Sequence, residues 1–437
     1  MIHGLLVEIQ EGEHARGETR RRPVNRAQAE ALRGESKGAE VTHKRKAIPF
    51  WVTAAVFLVG MAGGTLPSPL YPLYQAHWGF SNTTVTVIFA VYAAGVLTAL
   101  IGLGRASDAA GRRPVLLLSV ALATVSTLLF LIARGLVWLL VGRFLSGLAV
   151  GALTGTATAA LIELEPTGNK LRASRVAAVV NPAGLGAGTL AAGTLAQFAP
   201  APLRTVYAVY LGVLAALIVG ILFIPETVIQ TTQSLGLRMQ RPRVPREIRA
   251  EFVTAALGGS CALVVQGLFS GLAPSFLHEV LHDRNIFVAG LLVAVLFSAT
   301  TVAPLAAARL SRVRANSLGT AALIVGLVLV LIGLGSASLT AFFVGALIVG
   351  LGTGSIFVSS LALINRCAPA EHRGEVISAF FVAAYTALTL PVIGVGIASA
   401  HIGILMSTEV LSTGVVVLAV ATLMRIRRSA KMEGEDS

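Results

Sequence analysis

Apolar runs of about 20 residues, each long enough as a helix to cross a ~30 Å hydrocarbon layer, recur from Pro49 to Met424 with short polar breaks between them. Averaged over windows of about 19 residues, the pattern predicts helices near residues 49–74, 84–103, 114–133, 136–163, 174–198 and 205–224. After a longer polar stretch it predicts six more, near 252–279, 286–308, 317–335, 339–364, 375–399 and 408–424. The fold class implied is an all-α polytopic membrane protein, with twelve transmembrane helices arranged as two six-helix bundles. The tightest break is Arg134-Gly135, which separates the third and fourth runs.

The two sets carry traces of duplication. Trp51-Val-Thr-Ala-Ala55 recurs as Phe252-Val-Thr-Ala-Ala256 at the start of the first and seventh helices, and nearly the same offset relates Pro69 to Pro274 and the polar loop at Pro166 to that at Pro369. Two homologous halves with a substrate site between them are a common plan for secondary transporters. The domain reading is a disordered, basic N-terminal tail over 1–47, a bundle over 48–224, a linker over 225–250, a second bundle over 251–424 and a C-terminal tail over 425–437. The tail lacks the compact apolar core of a secretory signal. With no Met between Met1 and Met61 and no apolar periodicity before Lys44, translation is expected to begin nearer Val41.

Composition agrees with a membrane setting: 55% of residues are hydrophobic and 13% charged, against roughly a quarter charged in soluble domains. The net charge of +13 would suggest nucleic acid, but its placement excludes that reading. Of 34 Lys and Arg, 30 fall in the termini and the alternate loops on their side; Arg134, Arg204 and Arg284 fall in the opposite loops and Arg143 within a span. This is the positive-inside pattern, so both termini are expected in the cytoplasm. The Arg-rich, Ala- and Gly-rich composition points to a GC-rich bacterial genome and hence a bacterial plasma membrane. The bilayer is the expected surrounding partner, and the arginines of the linker read as a solvated cytoplasmic loop. Cys261 and Cys367 supply no disulfide framework.

The turn between helices two and three reads Gly104-Arg-Ala-Ser-Asp108-Ala-Ala-Gly111-Arg112-Arg113-Pro114. Its glycines permit a sharp turn, Asp108 can accept from a helix N-terminus, and Arg112 and Arg113 can hold carboxylates or phosphates. The spacing resembles the signature loop of the major facilitator superfamily, G-x-x-x-D-(R/K)-x-G-R-(R/K), with Ala109 in place of a base. Arg143-Phe-Leu-Ser-Gly147-Leu-Ala-Val-Gly151 in helix four, and Pro225-Glu226-Thr227 after helix six, are similar to family features in register. The matching turn Arg309-Leu-Ser-Arg312-Val-Arg314 keeps bases but lacks the glycines and the acid. The resemblance implies alternating access, with two bundles rocking about a central cavity. Beside it stands a physical expectation for a conformational latch: Asp108 caps helix eleven near Gly374 and Glu375, while Arg112 pairs with Glu163 or Glu165.

Arg143 is the only charge well inside a span, and intramembrane charges are costly enough to be functional by default. Three roles are open to it: holding a substrate anion, taking part in proton movement, or bonding to backbone carbonyls of a neighbouring helix. Glu163, Glu251, Glu279 and Glu409 lie near span ends, so no acid is expected at mid-membrane, which favours neutral, amphipathic or anionic cargo over organic cations. Helix five runs Asn181-Pro182-Ala-Gly184-Leu-Gly186-Ala-Gly188, partly similar to the G-P-x-x-G-G of superfamily exporters. Its glycines suit close helix approach and Pro182 a kink; Gly147 and Gly151 read the same way. The candidate cavity lining is Tyr92, Thr154, Asn181, Gln266, Ser298, Ser355 and Tyr385.

Gly350-Leu-Gly352-Thr-Gly354 lacks a strand-turn-helix context for nucleotide binding and reads as packing. No Walker sequence, His-Glu-x-x-His site or Gly-x-Ser-x-Gly elbow occurs, so neither an enzyme nor a cofactor or metal is expected. The expected activity is proton-linked export of hydrophobic or amphipathic small molecules by a monomer. Import of a small polar nutrient such as a sugar or organic anion, and a non-transporting sensor with the same fold, are the alternatives.

Overall fold

The computed structural model describes residues 47–103, 106–228, 243–306, 310–369 and 371–435, with the side chains of Arg312 and residues 428–435 excepted. Pro49–Ser437 forms one compact unit, and the unit before it, Met1–Ile48, is described only at its last two residues. The N-terminal tail and most of the linker therefore lie outside the described residues.

Among the described residues, twelve helices are long and apolar enough to cross a membrane: α1 (Ala47–Trp78), α2 (Asn82–Gly102), α3 (Arg112–Leu131), α4 (Leu136–Leu164), α5 (Lys170–Phe198), α6 (Pro202–Leu222), α7 (Arg246–Glu279), α8 (Ile286–Ala306), α9 (Val313–Gly335), α10 (Leu339–Cys367), α11 (Arg373–Ile402) and α12 (Ile404–Arg427). Pro49 and Arg427 lie at one face, here the terminal face; the turns before α2, α4, α6, α8, α10 and α12 lie at the other, the far face. Side-chain caps start several spans: Ser81 accepts from the Thr84 N–H, Asn169 from Arg172 and Ser338 from Ala341, satisfying donors that a helix start leaves free. The far-face turns use left-handed backbone at Gly79 and at Ala201, the latter just before Pro202.

One core cluster joins Phe50, Tyr71, Tyr92, Leu153, Tyr207 and their neighbours on α1–α6; another joins Phe269, Leu292, Leu323, Phe342 and their neighbours on α7–α12. The duplicated pentapeptides behave alike: Thr53 donates its hydroxyl to the Pro49 carbonyl and Thr254 to that of Ala250. Burial sorts spans into inner and outer: 78% of the best apolar window of α7 is buried and only 28% of that of α6.

Small residues set the closest crossings. A Cβ on Gly147 would strike backbone of α2 at Tyr92 and Val96, and one on Gly151 would meet Val96 and Ala99. Gly184 and Gly188 lie against Leu58 and Ala62 of α1, while Gly350 and Gly354 lie against α8. Pro182 sits inside α5. α1 is interrupted: its helix gives way to a turn at Leu66-Pro67 and a 3-10 turn at Ser68–Leu70 before resuming at Tyr71. Pro67 and Pro69 explain the break, since neither has an N–H to continue the ladder.

Candidate transport site

At the terminal face, the turn after α2 forms a short helix, Ala106–Ala110, and Gly111 with φ +100° turns the chain into α3. Gly104 lies outside the described residues. Arg112 grips Glu163 at the end of α4 side-on, Nε lying 3.2 Å from both carboxylate oxygens and the terminal nitrogen 2.8 Å from Oε1. Its other terminal nitrogen donates to Ser107 Oγ at 2.7 Å and Asp108 Oδ1 at 2.6 Å. Glu226, just after α6, closes the group. Its carboxylate accepts the backbone N–H groups of Arg112 at 2.8 Å and Arg113 at 3.0 Å, supplying the cap that Gly111 cannot provide. Thr227 then donates its hydroxyl to Glu163. Burial raises the pKa of Glu226, but the N–H groups of Arg112, Val228, Arg113 and Thr227 outweigh it and hold the carboxyl below its usual range.

Three latch expectations need correction. Asp108 does not cap α11: it is spent on Arg112, and the α11 N-cap, His372, has no side-chain cap. Glu165 is not a partner of Arg112. Helix α4 ends at Leu164, and the extended backbone of Glu165 (ψ 121°) turns its buried side chain into the next loop. There it accepts from the Thr167 and Asn169 N–H groups, both at 2.7 Å, from the Thr167 hydroxyl and from Arg172 at 3.1 Å. Burial raises its pKa, yet these donors bring it below the usual carboxylate range. Arg113 contributes its backbone N–H to the group rather than its guanidinium. The sequence reading missed Ser107, Glu226 and Thr227 as members. The available signal was an acid placed directly after a span on the same face as the basic turn.

Arg143 is fully buried without an acidic partner among the described residues. It donates from Nε to the Tyr71 hydroxyl at 2.8 Å, from one terminal nitrogen to the Gly64 carbonyl at 2.7 Å and from the other again to Tyr71. The rings of Tyr71 and Tyr92 lie 5.3 and 5.4 Å from its guanidinium carbon, a cation–π arrangement. Of the three roles open to it, carbonyl bonding is the one formed here. Gly64 precedes the break in α1 and Tyr71 follows it, so α4 clamps both sides of that break. The Tyr74–Tyr207 hydroxyl bond at 3.0 Å and the stacked Phe130–Tyr207 rings complete this buried aromatic cluster. Tyr71, Tyr74 and Tyr207 were not singled out in the sequence.

Among the remaining candidates, Tyr385 lies beside Phe89 and Ala93, where α11 meets α2. Thr154 lines a cavity of about 220 Å³ at the terminal face with Leu103, Ser107, Gly374, Ser378 and Phe381. Asn181 and Gln266 are half-buried and make no hydrogen bond among the described residues. Ser298 is exposed. Ser355 is not cavity lining: it packs at Gly319 of α9 and returns its hydroxyl to the Leu351 carbonyl. Its helical position put it at mid-depth, but depth alone does not say which neighbour a face meets.

The two halves meet at the far face. Asn82 donates to Glu279 at 2.9 Å, Thr83 to the Gly396 carbonyl at 2.7 Å and Ser275 to Asn82 at 3.2 Å, while the Ile286 N–H donates to Gln197 at 2.9 Å. Below them Phe89, Ala93, Ala384, Leu388 and Val392 form an apolar plug, and α5 crosses α8 at Gly193 and Gly290. At the terminal face the cavity beside Thr154 separates α2 and α4 from α11.

Residues 52–391 match the sequence model of the Major Facilitator Superfamily. An uncharacterized transporter of Rickettsia felis is 31% identical over 118 residues, 26% of this chain and 28% of that protein. The multidrug resistance protein MdtL of Klebsiella pneumoniae is 35% identical over 74 residues, 17% of this chain and 19% of that protein. The chain thus matches about a quarter or less of the length of these relatives. Solved structures share the fold at low identity, three transporters among them. The nucleoside transporter NupG has a TM-score of 0.70 at 11% identity, covering 86% of this chain and 99% of that one. The human organic anion transporter MFSD10 has 0.64 at 18%, with the same coverage. A bacterial homologue of the human lysosomal transporter Spinster, inward-facing and unoccupied, has 0.63 at 15%, covering 89% and 96%.

Proposed function

Because the chain belongs to the major facilitator superfamily, we propose that it is a secondary active transporter of the bacterial plasma membrane, a proton-linked exporter of hydrophobic or amphipathic small molecules, with both termini cytoplasmic. The observation that carries this reading is the asymmetry between faces. Hydrogen bonds and an apolar plug join the halves at the far face, while a cavity parts them at the terminal face. That is the geometry of one end state of an alternating-access cycle, open toward the cytoplasm when the positive-inside rule sets the orientation. Asp108 stays paired with Arg112 in this state. The Arg112–Glu163–Glu226 group keeps the N-terminal half rigid meanwhile. Export is supported by the local kinship with a protein named for multidrug resistance and by an apolar interior with few polar groups. The carboxamides of Asn181 and Gln266 would orient the cargo.

Arg143 acts in this scheme as a positioning residue, holding the interrupted α1 against α4. The second reading, import of an organic anion or a sugar, draws on the same residue: a buried cation with no carboxylate partner among the described residues would favour negative cargo if Tyr71 and Tyr92 swing aside.

Reconstitution of the purified chain, as a monomer, into liposomes with an enclosed pH dye and a panel of lipophilic and anionic compounds tests the proposal. Proton flux driven by a lipophilic compound against its gradient is the expected result. Movement of an anion or sugar with no response to lipophilic compounds would establish the second reading, and movement of none would leave a sensor.

A further inference from the structure

The far face of the N-terminal half is positively charged without compensation. Its turns and span ends, residues 71–82, 131–138 and 196–206, contain Arg134, Arg204 and His77 but no Asp or Glu. In the C-terminal half the same face carries Glu279 and Asp283 beside Arg284. Arginines are rare on this face, which holds 3 of the chain's 34 basic residues, so convergence of two of them on one place is informative. Both line a cavity of about 670 Å³ formed where α1 ends, α3 ends and α6 begins. Its walls are Tyr74, Trp78, Phe130 and Leu203. Trp78 is fixed by stacking on Tyr74 at 5.1 Å, and Tyr74 by its bond to Tyr207. Arg134 and Arg204 are exposed and form no ion pair among the described residues.

We propose that this cavity binds an anionic phospholipid of the far leaflet, its phosphate held between Arg134 and Arg204 and its glycerol and upper acyl segment lying against Trp78 and Phe130. Three features select a lipid. The cavity sits at span ends, at headgroup depth; its size suits a headgroup and the first part of a chain; and a ring of aromatics with basic side chains at one rim matches an amphiphile that is apolar at one end and anionic at the other. The site lies wholly within one half, apart from the cavity at Thr154, so its occupant would travel with the N-terminal bundle through the cycle rather than be cargo.

The test uses the full chain purified in detergent, with native mass spectrometry to count retained phosphatidylglycerol against phosphatidylcholine. One preferentially bound phosphatidylglycerol is expected. The double variant Arg134→Gln/Arg204→Gln should weaken its retention roughly ten- to thirty-fold while helical content and stability in phosphatidylcholine stay unchanged. Arg284→Gln, which removes the remaining far-face arginine outside the cavity, should leave retention as in the parent. Equal loss with Arg284→Gln would mean that general surface charge is responsible and would overturn the site. Full retention in the double variant, or equal retention of the two lipids by the parent, would overturn it too. Inorganic phosphate that displaces the lipid completely at millimolar concentration would show a free-anion site instead.

Discussion

At the scale of single residues, the most demanding side chain is Arg143. A guanidinium taken out of water must have its donors met, and here they are met by one carbonyl, one phenol and two ring faces. Arg143→Gln leaves the Gly64 carbonyl and the Tyr71 hydroxyl short of partners, and a loss of about 1–3 kcal/mol is expected, measured as a lower thermal unfolding temperature in detergent. Transport should fall with it, because the break in α1 is no longer held; full transport with full stability would refute the clamp. Glu165 makes a complementary case. It is buried and collects donors from two backbone N–H groups, a hydroxyl and Arg172. Glu165→Gln turns an amide donor toward some of those donors, so a destabilisation of about 1–3 kcal/mol is expected, with helix α5 the first to show faster amide exchange. Arg143 was conspicuous in the sequence as the lone charge in a span. Its partners were not, because Gly64 and Tyr71 lie 79 and 72 residues away and are brought to it only by the way α1 breaks. The choice between Glu163 and Glu165 was likewise hidden, since a single residue separates them and only the end of the helix at Leu164 sends their side chains apart.

At the scale of elements, α3 begins with a glycine that cannot cap it, and the cap comes from the end of α6. Glu226 thereby ties the first and last turns of the bundle at the terminal face, with its charge placed at the positive end of the α3 dipole. Its pKa is held below the usual glutamate value of about 4.3, so the folded state takes up this proton less readily than the unfolded chain. The stabilisation is fully present above the ordinary carboxylate range and is lost as pH falls through the depressed value. Melting curves between pH 6 and roughly pH 3 should therefore drop less steeply in Glu226→Gln, which begins less stable at neutral pH and loses less on acidification; parallel curves would deny the carboxylate this role. The spans themselves were legible from apolar run length, and the Arg134-Gly135 break fell where it was expected. The interruption of α1 was not, because an apolar run through Leu66 and Pro69 satisfies hydropathy whether or not the helix ladder continues.

At the scale of the whole molecule, the inference from sequence to two bundles rested on a faint repeat and a linker, and the separate core clusters have the same division. What no one-dimensional pattern contains is the state of the cycle. The far-face contacts pair residues such as Asn82 and Glu279, 197 positions apart, and a tilt of the halves away from each other there would break them. If transport requires those contacts to part, fixing them should stop it. The prediction uses Asn82→Cys/Glu279→Cys in a chain whose Cys261 and Cys367 are replaced by Ser. A short bifunctional thiol reagent should link the pair in liposomes and reduce flux by at least about tenfold, an inhibition that a cleavable reagent reverses on reduction, while either single variant treated alike remains active. The loss would follow from mass action on conformers: a link that forbids one end state removes it from the population without touching any cargo contact. Flux that persists in a fully linked sample would mean that the far face need not open, and the rocking of two halves about a central site would not describe this protein.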